Sequence, residues 1–203
     1  MVRFRVFLIW AALLTALVIP IAIAATSPLL AWRQPVYILA GFAGVIAMGL
    51  LLLQPLLAGG YLPGVAARLG RRLHLWVGIG VVAAVAIHVG ALWITSPPDV
   101  IDVLLFRSPT PFSVWGVLAM WAVFFTALLA AFRKRFGLKP KIWRFWHLTL
   151  AAIIVSGSVI HALLIEGTMG TLSKAVLCTL AIAALIKVLI DQKVWTLLRR
   201  RRA

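Results

Sequence analysis

Apolar residues fill six long segments of the chain, and short breaks rich in polar residues, glycine or proline separate them. A membrane-spanning helix needs about 20 mostly apolar residues, and each segment reaches that length. The pattern therefore predicts an all-α membrane protein, built as a six-helix transmembrane bundle. The predicted spans are residues 6–26, 36–58, 74–95, 112–132, 143–165 and 172–192.

Composition agrees with a membrane protein that forms one domain. Of the 203 residues, 64% are hydrophobic and 12% are charged, which leaves little material for a soluble domain. We therefore expect residues 1–203 to form a single transmembrane domain with no fused flavin or NAD domain. The lone Cys178 excludes an intrachain disulfide and a C-x-x-C-H attachment site, so any heme would be bound non-covalently.

The positive charge is distributed unevenly across the predicted topology. The net charge is +16, and 17 of the 20 Lys and Arg residues fall on the side of the N-terminus, the second and fourth loops and the tail. Because positively charged loops stay in the cytoplasm, both termini are predicted to be cytoplasmic. We expect a multi-pass protein of a bacterial inner membrane. Topology explains the charge better than nucleic-acid binding does.

The first span has features of both a signal peptide and a retained helix. Arg3 and Arg5 precede an apolar run that ends in Ala22-Ile23-Ala24, as in a signal peptide. The run is about 20 residues long, whereas the apolar core of a signal peptide has 7–15. We therefore favour a retained helix, with cleavage as the alternative.

All four histidines lie in two of the predicted spans. His74 and His88 are in the third span and His147 and His161 in the fifth, each pair 14 residues apart. In a helix this spacing corresponds to about 21 Å and a net rotation of about 40°, so each pair shares one face. The two spans run parallel, because one span lies between them. The spacing predicts that His74 meets His147 near the cytoplasm and that His88 meets His161 near the outer surface.

Two histidines from facing helices suit the axial positions of a heme iron. We therefore predict two b-type hemes per chain, one at each pair, that carry electrons across the membrane. A single metal ion is disfavoured because ligands about 21 Å apart cannot converge. A proton relay is disfavoured because no carboxylate lies within these spans. The remaining alternative is structural or interfacial histidines, above all for His74 and His147.

Two glycines lie near the predicted ligands on the same helix faces. Gly78 follows His74 by four residues, and Gly157 precedes His161 by four. We expect a heme plane to approach the helix at these positions. The alternative is that they only permit close helix packing, as we expect for the glycines of the second span, Gly41, Gly44 and Gly49.

Basic residues near the cytoplasmic histidines are candidates to pair with heme propionates. These are Arg71, Arg72, Lys141 and Arg144, with Arg107 as a weaker candidate on the outer side. The alternative is that each is an ordinary positive-inside residue. The same basic surface is expected to attract an acidic redox partner.

The third to fifth spans resemble the ferric reductase-like transmembrane domain family, which includes the membrane parts of NADPH oxidases and ferric reductases. The resemblance is carried by Arg71-Arg72-Leu73-His74, by His88, and by Trp146-His147 followed by His161. It implies six helices and b hemes held by paired histidines of the third and fifth spans. A more distant likeness is to the heme subunit of the methionine sulfoxide reductase system, which has a similar size.

The expected function is that of a diheme cytochrome b subunit. Electrons would enter from a cytoplasmic flavoprotein, a ferredoxin-like protein or quinol, with any flavin on that separate partner. They would leave to an acceptor on the outer side, with ferric iron favoured by the resemblance. Two alternatives stay open: a one-heme subunit of a methionine sulfoxide reductase system, and a non-redox permease or assembly factor with structural histidines.

Overall fold

The computed structural model describes residues 2–192, and within them the chain forms helices and no strand. Six helices are long and apolar enough to cross a membrane, which confirms the prediction of a six-helix membrane bundle. A seventh helix, α4, is short. The helices are α1 Val2–Ala25, α2 Pro35–Gly59, α3 Ala67–Thr95, α4 Pro97–Leu104, α5 Ser113–Phe132, α6 Pro140–Leu164 and α7 Thr171–Asp191.

Three of the long helices begin at least three residues earlier than the apolar pattern predicts, and one of them is α1, which begins at Val2 rather than at residue 6. Helix α3 begins at Ala67 rather than at residue 74, and α6 begins at Pro140 rather than at residue 143. Hydropathy marks only the part of a helix that lies in hydrocarbon, whereas the helical backbone continues into the polar region. Arg71 and Arg72 are therefore helical residues, one turn from His74. The basic tail, residues 193–203, lies outside the described residues, so its side of the membrane stays a prediction.

Helix α4 was not predicted, because it lies in what the hydropathy pattern marks as a loop. Pro97 and Pro98 occupy its first turn, where a missing N–H costs nothing, and Asp99 follows in the same turn. The hydroxyl of Ser96 donates to a carboxylate oxygen of Asp99 at 2.5 Å. The helix contacts α3 and α5 at one end of the bundle.

Five of the long helices form a closed ring. Helix α3 packs on α2, α2 on α7, α7 on α6, α6 on α5, and α5 returns to α3, while α1 packs outside on α2 and α7. Helices α3 and α6 face each other across this ring and approach each other much less closely than either approaches its neighbour. The two helices that carry the histidines are thus held apart at a fixed separation by α2, α5 and α7.

Helix α7 supplies the largest of the almost completely buried side chains. Leu177 and Cys178 are almost completely buried, and Ala181 has no exposed surface. Helix α1, in contrast, lies at the edge, where Leu17 packs against Gly49 of α2. Helix α1 therefore packs on the bundle, and its retention in the mature protein stays a prediction.

Candidate functional site

The structure brings the four histidines together in two pairs, each with one member from α3 and one from α6. The ring centroids of His74 and His147 are 6.0 Å apart, and those of His88 and His161 are 6.5 Å apart. These are the pairs that the 14-residue spacing predicts. The site nearer the predicted cytoplasmic ends, His74 with His147, is called the inner pair, and His88 with His161 the outer pair.

Backbone carbonyls fix the tautomer of three of these histidines. The Nδ1 of His88 lies 2.7 Å from the carbonyl oxygen of Ala40, and that of His161 lies 2.9 Å from the carbonyl oxygen of Phe112. The Nδ1 of His74 lies 3.2 Å from the carbonyl oxygen of Gln54. A carbonyl oxygen can only accept, so each Nδ1 must carry the proton. In the neutral imidazole the lone pair is then on Nε2.

The distance between paired rings matches that of two imidazoles on one metal. An imidazole nitrogen binds a metal at about 2 Å, and the ring centre lies about 1.2 Å behind that nitrogen, so two opposed ligands have centroids about 6.4 Å apart. The observed separations of 6.0 and 6.5 Å lie on either side of this value. In the outer pair the Nδ1 of each ring carries the proton, so both Nε2 atoms are acceptors and cannot hydrogen-bond to each other. Each pair therefore suits an electrophile between the rings.

Each pair supplies only two ligands. Within residues 2–192, no group of three or more His, Cys, Asp or Glu side chains is arranged to hold a metal ion. A metal between two histidines must therefore take its other ligands from elsewhere. A porphyrin supplies four nitrogens in one plane and leaves two axial positions for imidazoles. The donors present thus fit a heme at each pair.

The inner pair has an aromatic neighbour on one side. Trp143 stacks on His147, with ring centroids 5.0 Å apart and planes 19° from parallel. The guanidinium of Arg133 lies over the Trp143 ring at 4.9 Å. The Nδ1 of His147 is buried and has no hydrogen-bond partner among the described residues. His147 is therefore oriented by stacking, whereas the other three histidines are oriented by hydrogen bonds.

The outer pair lies against two glycines. A β-carbon on Gly44 would lie 3.2 Å from the Nδ1 of His88, and one on Gly116 would lie 2.7 Å from the Nδ1 of His161. Real β-carbons essentially never lie closer than 3.0 Å to such an atom, so a side chain at residue 116 would force the ring of His161 to shift. Phe112 also meets His161 edge to face, with centroids 5.7 Å apart. Both outer imidazoles thus lie directly on the backbone of a neighbouring helix.

The basic residues predicted near the inner pair have different surroundings. Arg71, Arg72 and Lys141 are exposed. The half-buried Arg144 donates to the carbonyl oxygen of Gln192 at the end of α7, and its Nε is buried without a partner among the described residues. Their pairing with propionates stays a prediction. The outer candidate, Arg107, is exposed as well.

Gly78 and Gly157, predicted beside the heme planes, both lie at contacts between helices. A β-carbon on Gly78 would lie 3.2 Å from the side-chain nitrogen of Gln54 on α2. One on Gly157 would lie 3.0 Å from the carbonyl oxygen of Trp115 on α5. Both contacts are close packing between helices, which was the alternative interpretation of these two glycines. An approach to a heme stays untested.

Three residues of the site are not among those that the sequence predicts. Gly44 and Gly116 lie on helices without histidines, and Trp143 has the position of an ordinary interfacial indole. A signal for the two glycines exists in the sequence, because both begin a nearly identical five-residue segment.

No family model, curated protein or solved structure matches this chain.

Proposed function

We propose that this chain is a diheme cytochrome b membrane subunit, similar in kind to the ferric reductase-like transmembrane domain family. It takes electrons from a cytoplasmic flavoprotein, ferredoxin-like protein or quinol and passes them to an acceptor outside, with ferric iron as the first candidate. The observation that supports this most is the pair of facing imidazoles at each end of the bundle, spaced for two axial ligands of one iron.

The histidines would be the protein ligands of the two hemes. His74 and His147 would hold the inner iron, and His88 and His161 would hold the outer iron. Two imidazoles on one iron would leave no position for oxygen, which favours electron transfer. Heme bound at these positions supplies reversible one-electron chemistry. The Nδ1–H bonds to backbone carbonyls keep the rings from rotating, which is the usual role of groups behind a ligand histidine.

The helix faces between the two pairs keep water and charge away from the path. Neither α3 between residues 74 and 88 nor α6 between residues 147 and 161 contains a charged residue. Val81 and Ala84 of α3 and Ile154 and Val155 of α6 are buried there. Two sites about 21 Å apart divide a hydrocarbon layer of about 30 Å into shorter steps.

The proposed direction is outward and rests on topology and family resemblance. The exposed Arg71, Arg72 and Lys141 give the inner end a positive surface. Such a surface attracts an acidic donor protein, and the attraction weakens as salt screens the charges. The lipid bilayer of a bacterial inner membrane is the proposed setting, and no nucleic acid is involved.

Purification followed by heme quantification tests this proposal. The protein should show a dithionite-reducible b-type spectrum, and a pyridine hemochrome assay should give two hemes per chain. His88→Ala should remove the outer heme and leave one heme with the spectrum of the inner site. His74→Ala should do the reverse.

Other heme contents support other functions. One heme in the wild-type chain would favour the alternative of a methionine sulfoxide reductase subunit. A chain that takes up no heme, even when expressed with excess hemin, would favour a non-redox membrane protein with structural histidines.

A further inference from the structure

The helix pairs α2–α3 and α5–α6 have related sequences. Residues 44–48 read Gly-Val-Ile-Ala-Met, and residues 116–120 read Gly-Val-Leu-Ala-Met. Residues 71–75 read Arg-Arg-Leu-His-Leu, and residues 144–148 read Arg-Phe-Trp-His-Leu. The shift is 72 residues for the first helix, from 44 to 116, and 73 for the second, from 74 to 147. Both helices of one pair therefore recur in the other, in the same order.

The two helix pairs also face each other in a symmetric way. His74 meets His147, and His88 meets His161, so each histidine contacts its own counterpart in the other helix pair. Contacts between equivalent residues are the mark of a two-fold relation. The two contacts lie about 21 Å apart along the same two helices, so the two-fold axis passes through both sites. A ligand at either site would therefore contact two equivalent histidines, one from each helix pair.

The hydrogen bonds of the outer pair repeat in the same way. His88 donates to the carbonyl of Ala40, four residues before Gly44, and His161 donates to the carbonyl of Phe112, four residues before Gly116. The N–H of Gly116 donates to this same carbonyl of Phe112, at 3.2 Å. The imidazole therefore uses the second lone pair of a carbonyl that already belongs to the helix.

A glycine at this position exposes the carbonyl to the imidazole. A helical side chain leans toward the N-terminus and covers the turn before its own α-carbon, so the residue four positions later lies over the carbonyl. Without a β-carbon that surface is bare, and a ring from another helix reaches the oxygen.

The inner pair provides an internal comparison, because alanine replaces glycine at both equivalent positions. His74 donates to Gln54, and residue 58, four positions later, is alanine; its bond is 3.2 Å long. The counterpart of Gln54 is Thr126, followed four residues later by Ala130, and His147 makes no hydrogen bond through Nδ1 among the described residues. The two bonds beside glycine are 2.7 and 2.9 Å. The hydrogen bond is thus shorter beside glycine than beside alanine.

We infer that α2–α3 and α5–α6 are two copies of one ligand-holding hairpin, and that Gly44 and Gly116 are equivalent positioning residues of the outer heme site. Each glycine lets its histidine donate Nδ1–H to the carbonyl four residues earlier, which directs Nε2 toward the axis between the helix pairs. The assignment of heme as the ligand rests on the proposed function, whereas the repeat and the hydrogen bonds do not.

Alanine substitutions test the two glycines. Gly116→Ala and Gly44→Ala should each weaken binding of the outer heme roughly 10- to 100-fold, as loss of groups behind a ligand histidine typically does. The heme that remains there should have a more positive midpoint potential, because its imidazole donates less electron density. The inner heme should keep its spectrum and potential. Alanine is the better helix former, so a loss does not come from a weaker helix.

Two other glycines serve as matched controls, one on the helix of Gly44 and one on the helix of His88. Gly41 on α2 and Gly90 on α3 have no atom within 4 Å of an added β-carbon, so Gly41→Ala and Gly90→Ala should leave both hemes unchanged. Equal losses in all four variants, or an unaltered outer heme in both Gly116→Ala and Gly44→Ala, would overturn the assignment. If Gly116→Ala does not fold, Gly44→Ala, with its longer 3.2 Å contact, carries the test.

Histidine NMR separates failure of this inference from failure of the proposed function. The chain has four histidines, so ¹⁵N-histidine labelling gives four assignable rings. If the wild-type protein binds no heme, the proposed function fails. The NMR of the heme-free protein then tests whether the glycines permit the Nδ1–H bonds of the outer histidines. His161 should then show a hydrogen-bonded Nδ1–H in the wild type and lose it in Gly116→Ala. A bond that persists in the variant refutes the role of Gly116. Conversely, Ala130→Gly should give His147 the bond that it lacks.

Discussion

Trp143 stacks on His147 one helical turn away on α6, with ring centroids 5.0 Å apart and planes 19° from parallel. Because the Nδ1 of His147 has no hydrogen-bond partner among the described residues, this stacking is the main contact that orients the ring. Trp143→Leu should therefore weaken the inner heme site. Aromatic stacking contributes about 0.5–1.5 kcal/mol, so heme affinity should fall roughly 2- to 10-fold.

Heme titration of the purified variants measures this effect. Trp143→Phe should keep much of the affinity, since it retains a ring. Trp146→Leu is the matched control, because Trp146 is three residues further along the same helix and 50% exposed. Equal losses in Trp143→Leu and Trp146→Leu would show that the stacking has no specific role.

The outer heme should have a lower midpoint potential than the inner one. Both outer imidazoles have short Nδ1–H bonds to carbonyls, at 2.7 and 2.9 Å, which makes them more electron-rich and favours ferric iron. The positive charges of Arg71, Arg72 and Arg144 are near the inner pair and favour the ferrous state there. A unit charge about 10 Å away at an effective dielectric constant of 20 is worth roughly 1–2 kcal/mol, on the order of 50 mV.

A spectroelectrochemical titration should resolve two redox waves. The wave that disappears in His88→Ala belongs to the outer heme, and the wave that disappears in His74→Ala belongs to the inner heme. A more positive outer wave would contradict this prediction. The order also bears on direction, because with a lower outer potential the outward step between the two sites is uphill and depends on the acceptor and the membrane potential.

Gln54 contacts His74 through both its side chain and its backbone. Its side-chain nitrogen donates to the carbonyl of His74 at 3.2 Å, while its own carbonyl accepts from the Nδ1 of His74. Gln54→Leu removes the first bond and keeps the second. We expect the free energy of unfolding to fall by about 1 kcal/mol, the usual net value of one hydrogen bond, with the inner heme retained.

Denaturation in detergent would measure the loss of stability, and the reduced spectrum would report on the heme. Loss of the inner heme in Gln54→Leu would mean that the side chain, and not the backbone carbonyl, holds His74.

A tyrosine at the inner end of the bundle should make stability depend on alkaline pH. Tyr61 donates to Asp191 at 2.5 Å, and Asp191 also pairs with Lys187 at 2.8 Å. Burial of the phenol, together with the hydrogen bond and the negative charge of Asp191, raises the pKa of Tyr61 from 10.0 to about 12. The folded state therefore favours the neutral phenol. Its contribution to stability is complete below pH 10 and is lost as the pH rises from 10 to 12.

Ultraviolet titration can test this value, because the chain has only two tyrosines, Tyr37 and Tyr61. The ionisation step near pH 12 should disappear in Tyr61→Phe and move to lower pH in Asp191→Asn, which removes the negative charge. Tyr61→Phe should also lose less stability than the wild type between pH 10 and 12. An ionisation step that is unchanged in Asp191→Asn would rule out the contact with Asp191 as a cause.

The sequence alone was sufficient for the spans and for the pairing of the histidines. Hydropathy identifies each apolar segment because bilayer thickness sets helix length. The pairs followed from helix geometry, because residues 14 apart share a face and helices separated by one span are parallel. The ends of α3 and α6 were less predictable, since helical backbone continues beyond the apolar residues. Helix α4 was missed because eight residues are too few for a hydropathy signal.

Only the tertiary structure decided what lies behind each histidine. A carbonyl on another helix accepts from His88 and from His161, and no spacing within α3 or α6 contains that information. His147, in contrast, stacks on Trp143, which lies one turn away on the same helix. The reason is physical: helix periodicity fixes which side chains share a face, but the hydrogen bonds of those side chains depend on which neighbouring helix packs there and on whether a β-carbon blocks the approach. The sequence determined that four imidazoles form two pairs, and the packing of α2 and α5 determined which imidazoles donate to a backbone carbonyl.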